Sequence, residues 1–475
     1  MISIIFYFDQ LTNIDLTLES LVDTTNLDDI TEIIICNDSG QLLEHVEFNP
    51  LITGSLLRII DSSNIGRAKA WDIACDQASG EQIVFVGGIT KFKSEWLNYL
   101  LSDLNDNNLV SPIINVLDNN IWQSQLNKWD GFGWGWDFEL KNKTNTDQVI
   151  CVSSKCFAIT KKRYEFIGGF DNGMDGGAGE DIELSYRNWI FGGECIISSN
   201  SHISSGADRK PAAQSLKNIN RIVQIWMPEY QDRLKDYYAD LPDTGKISNI
   251  TGMEKNRVKS NKEILNKLQP ELFGVYQIRD KLKGKTIGIV APGASIDLID
   301  RNHINRNEII VGIDYAGLIF DCDLVISCYT DILADLADKY SMNQLLLPSV
   351  LQDRVLGKYE SARDIYPDSM IFECREYGNL NVSINPPFVD IDNIAVTAIN
   401  LALFMRPCLI NLYGYDTRLL SGRSHTSIGG YYQDGYVLND SESTDNKYKF
   451  EDHVMRIIGD VAIKSDIPII RVNHL

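Results

Sequence analysis

The sequence predicts an α/β protein, with two sheet-and-helix units joined by a helical connector, and three observations carry that reading. Short β-rich runs alternate with amphipathic stretches from the first residues onward, and the same rhythm resumes after residue 284. Between the two series, roughly residues 205–280 are polar and show helical spacing. At 475 residues the chain is also too long for one ordinary core. The expected division is 1–235, 236–283 and 284–475.

In the first series the candidate strands are Ser3–Phe8, Glu32–Cys36, Leu56–Asp61 and Gln82–Val86. Helical patterns at Leu16–Thr24 and Ala68–Ala78 lie between them, which argues for a parallel or mixed sheet flanked by helices. A Gly- and Trp-rich patch follows at 130–140. Glu180–Phe191 then reads as a helix closed by Gly192 and Gly193, residues suited to a helix C-terminus. The connector carries NRIVQIWMPEYQDRLKDYYADL (220–241) and MEKNRVKSNKEILNKL (253–268). The second series begins at Lys285 with TIGIVAPGAS and continues through EIIVGIDYA, DLVISCY, NQLLLPSV, MIFECRE, LINLYGYD and IPIIRV. Six or seven apolar strands separated by helical lengths predict a doubly wound, Rossmann-like unit.

Composition narrows the function classes. Hydrophobic residues make up 44% and charged residues 23%, as in a folded globular chain. Lys and Arg total 44 against 65 Asp and Glu, so the net charge of −21 repels a polyanion and makes nucleic acid an unlikely partner. The opening MISIIFYFDQ lacks a basic n-region and reads as a first strand, not a signal peptide. No run of about 18 apolar residues occurs, so no membrane span is expected. Nine scattered cysteines without a CxxC pair suit reduced thiols in the cytoplasm.

The first chemistry-bearing segment is EIIICNDSG (32–40). Asp38 stands at the carboxyl edge of a strand, where α/β proteins bind ligands, and could meet a uracil-type imide or a ribose. Asn, Asp, Ser and Gly are equally ordinary turn formers. Next comes NIGRAKAWDIACDQASGEQIVFVGG (64–88). Asn64 and Gly66 make a loop, the alanines at 68, 70 and 74 let a helix pack closely, and a strand then runs to Gly87 and Gly88.

These segments resemble the nucleotide half of GT-A glycosyltransferases, specifically family 2 and the polypeptide N-acetylgalactosaminyltransferases. Their pattern is a strand ending in DDxS, then N-x-G-x-x-x-A, then an FLD-type strand end. The resemblance continues through LVSPIINVLD (109–118), GFGWGWDFEL (131–140), IGGFDNGMDGGAGEDIELSYRNWIFGG (167–193) and KNINRIVQIWMPEY (217–230). It covers roughly residues 1–230. It implies a GT-A fold and a nucleotide-sugar donor, with a UDP-sugar favoured, whose sugar passes to a hydroxyl on a glycan or protein. It also implies a nucleotide site formed by Asp38, Asn64, Gly66, Arg67, Gly87 and Gly88. The pair Glu180 and Asp181, with Gly179 beside it, would line the donor-sugar and acceptor pocket.

The departures bear on the chemistry. Where the family carries Asp-x-His or Asp-x-Asp for manganese, this chain has Gly87, Gly88 and Ile89, in a register fixed by Phe85 and Trp96. The family's later metal-binding histidine falls near Ser204, with His202 close by, and its loop tryptophan is Gly177 here. Mn²⁺ or Mg²⁺ held with a diphosphate needs carboxylate ligands, so no metal ligand is assigned. Three readings follow: metal-independent transfer, a binding-only domain, or a metal held by residues outside these motifs. Glu180 and Asp181 could act as a general base or orient the sugar, or could simply cap a helix start. Arg67 could neutralise a diphosphate in place of the metal, or be a solvated residue at a helix start. Trp134 and Trp136 could stack on a sugar face or pack in the core.

In the second series, IVAPGAS (289–295) is a strand feeding a Gly-containing loop whose amides suit a phosphate, or whose Pro-Gly simply serves turn geometry. Together with EIIVGIDYA, NPPFVDIDNIAVTAINLALF, LINLYGYD and SGRSHTSIGG, it resembles the bacterial motility accessory factor domain and, more remotely, the family 42 sialyltransferases. That resemblance implies Gly293 and Ser295 facing a nucleotide phosphate, Asp314 or Asp416 on a ribose or sugar hydroxyl, and His425 as a catalytic acid or base, where a lone His beside Ser and Thr could equally be a surface loop residue. The leading expectation is a glycosyltransferase working in the first unit without a DxD-bound metal. One alternative places the chemistry in the second unit, with the first binding acceptor. The other is a non-catalytic nucleotide-sugar or glycan-binding protein.

Overall fold

A computed structural model describes most of residues 1–238, much of 252–348, short strand pieces of 355–389, and 394–416 with 466–472 near the end of the chain. Residues outside the description include 130, 136–137, 175–178, 207–212 and 417–458. The chain divides into two compact units, Met1–Leu268 and Gln269–Leu475. The division falls inside the expected connector because Asn261–Leu268 packs into the first unit. There Ile264 and Leu265 are buried, and the Asn261 amide donates to the Trp226 carbonyl at 2.7 Å.

The first unit is built on a nine-stranded mixed sheet. In chain order its elements are β1 (Ile2–Phe8), α1 (Ile14–Thr24), β2 (Ile30–Asn37), β3 (Leu57–Asp61), α2 (Arg67–Gln77), β4 (Gln82–Gly87), β5 (Thr90–Phe92) and α3 (Trp96–Ser102). β6 (Asn108–Asp118), β7 (Gln123–Trp129), β8 (Gly131–Trp134), β9 (Leu140–Lys143), β10 (Cys156–Thr160), α4 (Lys161–Ile167), α5 (Glu180–Ile190), β11 (Glu194–Gly206) and α6 (Ala213–Trp226) follow. The sheet order is β3-β2-β1-β4-β10-β6-β11-β5, with β7 on β6, while β8 and β9 form a separate hairpin. β3, β2, β1 and β4 run parallel, and every residue of β1 is buried, as a strand covered on both faces requires. The first four expected strands and two helices all form, with ends shifted by one or two residues.

Two features place the site. β10 inserts antiparallel beside β4, pairing Cys156 with Val86 and Phe157 with Phe85. That brings the turn at 153–155 to the end of β4, where the Gly87 amide donates to the Lys155 carbonyl at 3.0 Å. α5 is buried along its whole length despite its sequence EDIELSYRNWI, so each of its charges requires a partner. Glu183 has two, Arg187 at 2.5 Å and the Trp226 indole N–H at 2.8 Å.

The second unit is a seven-stranded, all-parallel sheet. Its order is Met370–Phe372, Leu345–Pro348, Leu324–Ile326, Ile309–Ile313, Thr286–Val290, Leu409–Tyr413 and Ile469–Val472. Every one falls on an apolar run of the second series. Strand order reverses between Thr286–Val290 and Leu409–Tyr413, which is the crevice position of a doubly wound sheet.

Candidate functional site

The carboxyl ends of β1 and β4 open into a cavity of about 450 Å³. Its lining includes Asp9, Asn13, Arg67, Gly88, Lys155 and Ser205. Arg67 opens α2, behind Gly66, whose φ of 87° only glycine adopts readily. Its guanidinium lies 5.9 Å from the Tyr7 ring centre and 5.4 Å from that of Trp71. It is also ion-paired with Glu180, the first residue of α5. Arg67 thus stands between an acid on its buried side and the cavity on the other.

The two acids that open α5 each hold a cation-bearing segment. Glu180, 1% exposed, is the partner of Arg67. Asp181, also buried, accepts the Ser154 amide at 2.8 Å and so anchors the turn that carries Lys155. Burial first, and the neighbouring Glu180 charge second, raise the Asp181 carboxyl to about 6. Gly179 precedes them with a φ of 103°, and a Cβ placed there would come within 3.3 Å of the Asn218 side chain.

Asp38 is 3% exposed and closed on itself. One carboxylate oxygen accepts the Ser62 hydroxyl at 2.8 Å and the Ile65 amide at 2.9 Å. The other accepts the Tyr7 hydroxyl and the Gly66 amide, both at 2.9 Å. Burial, then this carboxylate, push the Tyr7 phenol well above its ordinary range. In this geometry Asp38 fixes the loop that launches α2 and sets Arg67 in place. Asn64, exposed with a φ of 61°, lies in that loop.

The donor set does not fit a divalent cation. Gly87 and Gly88 carry no side chain and Ile89 no ligand atom. At the later position the Ser204 hydroxyl bonds that of Ser124 at 2.7 Å, and the Ser205 hydroxyl donates to the Ile89 carbonyl at 2.9 Å. His202 is half-buried in β11 opposite Ile113. Among the described residues no three His, Cys, Asp or Glu side chains gather as metal ligands, and Asp9 is the one carboxylate in the cavity lining.

Other expectations resolve differently. Trp134 is corrected to a core residue. It is 1% exposed and packs edge-on against Phe138 and Tyr186, so no face is available to a sugar. Trp136 and His425 lie outside the described residues. In the second unit the Gly293 amide donates to the Gly414 carbonyl at 2.9 Å, and the Ser295 amide to the Asp416 carboxylate at 2.6 Å. Those loop donors are thus engaged within the chain. Asp314, at a φ of 46°, accepts the Ser327 hydroxyl at 2.7 Å. Lys155 was not among the sequence-derived candidates, because only the β10–β4 pairing reveals it.

The mixed sheet with its carboxyl-edge cavity defines a class, the GT-A glycosyltransferase fold. The solved structure of GalNAc-T7 with UDP, GalNAc and Mn²⁺ shares it, with a TM-score of 0.50 and 19% identity over 56% of each chain. The chain is homologous to polypeptide N-acetylgalactosaminyltransferases. It is 26% identical to the mouse enzyme 4 over 271 residues, 50% of this chain and 47% of that protein. It is also 26% identical to the inactive-like protein 5 of Macaca fascicularis over 261 residues, 49% of this chain and 58% of that one. The chain spans about half the length of the curated relatives it matches. No protein-family description matches it. Among the described residues no helix is long and apolar enough to cross a membrane.

Proposed function

We propose that the protein is a glycosyltransferase that takes a sugar from a nucleotide-sugar donor, a UDP-sugar by preference, and passes it to a hydroxyl on a glycan or protein. The observation that carries this reading is the cavity at the ends of β1 and β4, which presents Arg67 and Lys155 at the carboxyl edge of a parallel sheet. GalNAc-T7, which shares the fold, was solved with UDP and GalNAc. In the reaction the acceptor oxygen bonds to the anomeric carbon, and the bond from that carbon to the diphosphate oxygen breaks. The electron pair leaves with the nucleoside diphosphate, so negative charge grows on its terminal phosphate where a cation stabilises it. The acceptor proton passes to solvent or to the departing phosphate.

Glu180 and Asp181 act in this scheme as positioning residues. The buried Glu180 carboxylate is engaged by the Arg67 guanidinium, an arrangement well suited to holding that guanidinium at the cavity wall. The free thiols of the seven described cysteines support a cytoplasmic location. The burial of Glu180, together with an inactive-like relative, supports a second reading, donor binding without transfer. Incubating the full chain with a panel of UDP-sugars and glycan and peptide acceptors tests both. Transfer or slow donor hydrolysis from at least one UDP-sugar supports the first reading. Saturable binding with no turnover across the panel selects the second, and no binding at all overturns both.

A further inference from the structure

We propose that Arg67 and Lys155 together take the place of the divalent cation, so that the donor's diphosphate is held and its leaving charge neutralised by two side chains. This rests on the nucleotide-sugar reading of the same cavity. Three observations build it. The first is the donor set just described: at the β4 end stand two glycines and an isoleucine, and among the described residues Asp9 is the one carboxylate lining the cavity. A Mn²⁺–diphosphate complex in that lining would meet two cations and too few acids.

The second is steric. A Cβ at Gly87 would overlap the carbonyl oxygen of Ser154. Ser154 belongs to the turn that brings Lys155 to the cavity, and the Lys155 carbonyl accepts the Gly87 amide at 3.0 Å. A metal-binding side chain at 87 and this turn therefore exclude each other. The backbone that denies the carboxylate its place is the backbone that delivers the lysine.

The third is that adjacent acids hold the Arg67 guanidinium and the turn that carries Lys155. Glu180 pairs with the Arg67 guanidinium, and Asp181 takes the Ser154 amide at 2.8 Å, one residue before Lys155. The start of α5 thereby fixes the Arg67 guanidinium and the backbone of the turn that carries Lys155, and both residues line the cavity. A phosphate oxygen accepts hydrogen bonds from a guanidinium or an ammonium, and Lys155 adds a cation to a lining that already holds the Arg67 side of the Arg67–Glu180 pair.

Titration calorimetry of the full chain with UDP and with uridine, in EDTA and in MnCl₂, tests this. The expected result is UDP affinity that changes less than about twofold between the two conditions. Lys155→Ala should weaken UDP by about tenfold or more while leaving uridine unaffected, and Lys155→Arg should restore most of the loss. Lys155 is half-buried in a turn, so its replacement leaves the core intact. Wild-type affinity that rises tenfold with Mn²⁺, or equal loss of UDP and uridine in Lys155→Ala, overturns the inference while the nucleotide-sugar reading survives. Failure of UDP to bind under either condition removes that reading and the inference with it.

Discussion

The two units place similar loop chemistry at the carboxyl edges of their sheets, yet use it in opposite ways. In the first, the loop after β3 is tied down by Asp38 from beneath, and the tie leaves Arg67 facing a cavity. In the second, the loop after Thr286–Val290 is closed by the chain itself, with the Asp416 carboxylate on the Ser295 amide and Gly414 on Gly293. A glycine-containing loop behind a strand thus indicates a tight backbone turn in both places. What makes one of them a candidate site is that the residue it launches, Arg67, lines a cavity while paired with Glu180.

This contrast can be broken at several points. The largest effect is expected from Asp38→Ala, which strands four donors around a buried position and should cost about 3–4 kcal/mol in denaturant-derived stability. A loss below about 1 kcal/mol would mean that the loop is not held this way. Gly87→Ala follows, at about 2–3 kcal/mol, because its methyl group meets the Ser154 carbonyl and the turn must shift. Chemical denaturation of the purified variant, read beside Gly88→Ala, separates this clash from backbone strain, since nothing lies within 4 Å of a Cβ at Gly88 but its φ is +90°.

A pH slope comes next. The Asp181 carboxyl is raised to about 6, so between its ordinary value near 4 and that point the folded state binds the extra proton. Its contribution to stability is greatest below this window and declines as pH rises through it, by at most about 1.4 kcal/mol per pH unit. Asp181→Asn should therefore gain on the wild type between pH 4.5 and 6.5 in matched thermal melts. A gap between the two that stays constant with pH would contradict the shift. Smallest is Asp416→Ala, expected at about 1 kcal/mol because a single amide bond and a 3.9 Å contact with Arg471 are lost. If it equals Asp38→Ala in cost, the contrast between the two loops fails.

Much of the fold was legible because apolar runs separated by helical lengths leave few arrangements. The seven parallel strands of the second unit and the first four of the first coincide with such runs. Arg67 could be read from the sequence as a helix-start residue facing either a diphosphate or solvent, and in the structure it lines the cavity. Lys155 could not, since no local pattern marks it. Its place depends on β10 inserting next to a strand about 70 residues earlier in the chain. Glu180 was read as a general base, a sugar-orienting carboxylate or a cap, and its pairing with a guanidinium 113 positions away exists only in the folded chain. Trp134 stayed open between its two readings for a similar reason: a tryptophan in a short strand announces burial or recognition equally well, and only the packing of Phe138 and Tyr186 decides.

The account's central claim is that the first unit transfers sugar with two side-chain cations in the metal's place. The most direct test is the initial rate of UDP release from the best UDP-sugar, measured in EDTA and again in MnCl₂. The account predicts equal rates under both conditions, with a fall of about tenfold or more in Lys155→Ala. A rate that vanishes in EDTA and returns with Mn²⁺ would contradict it.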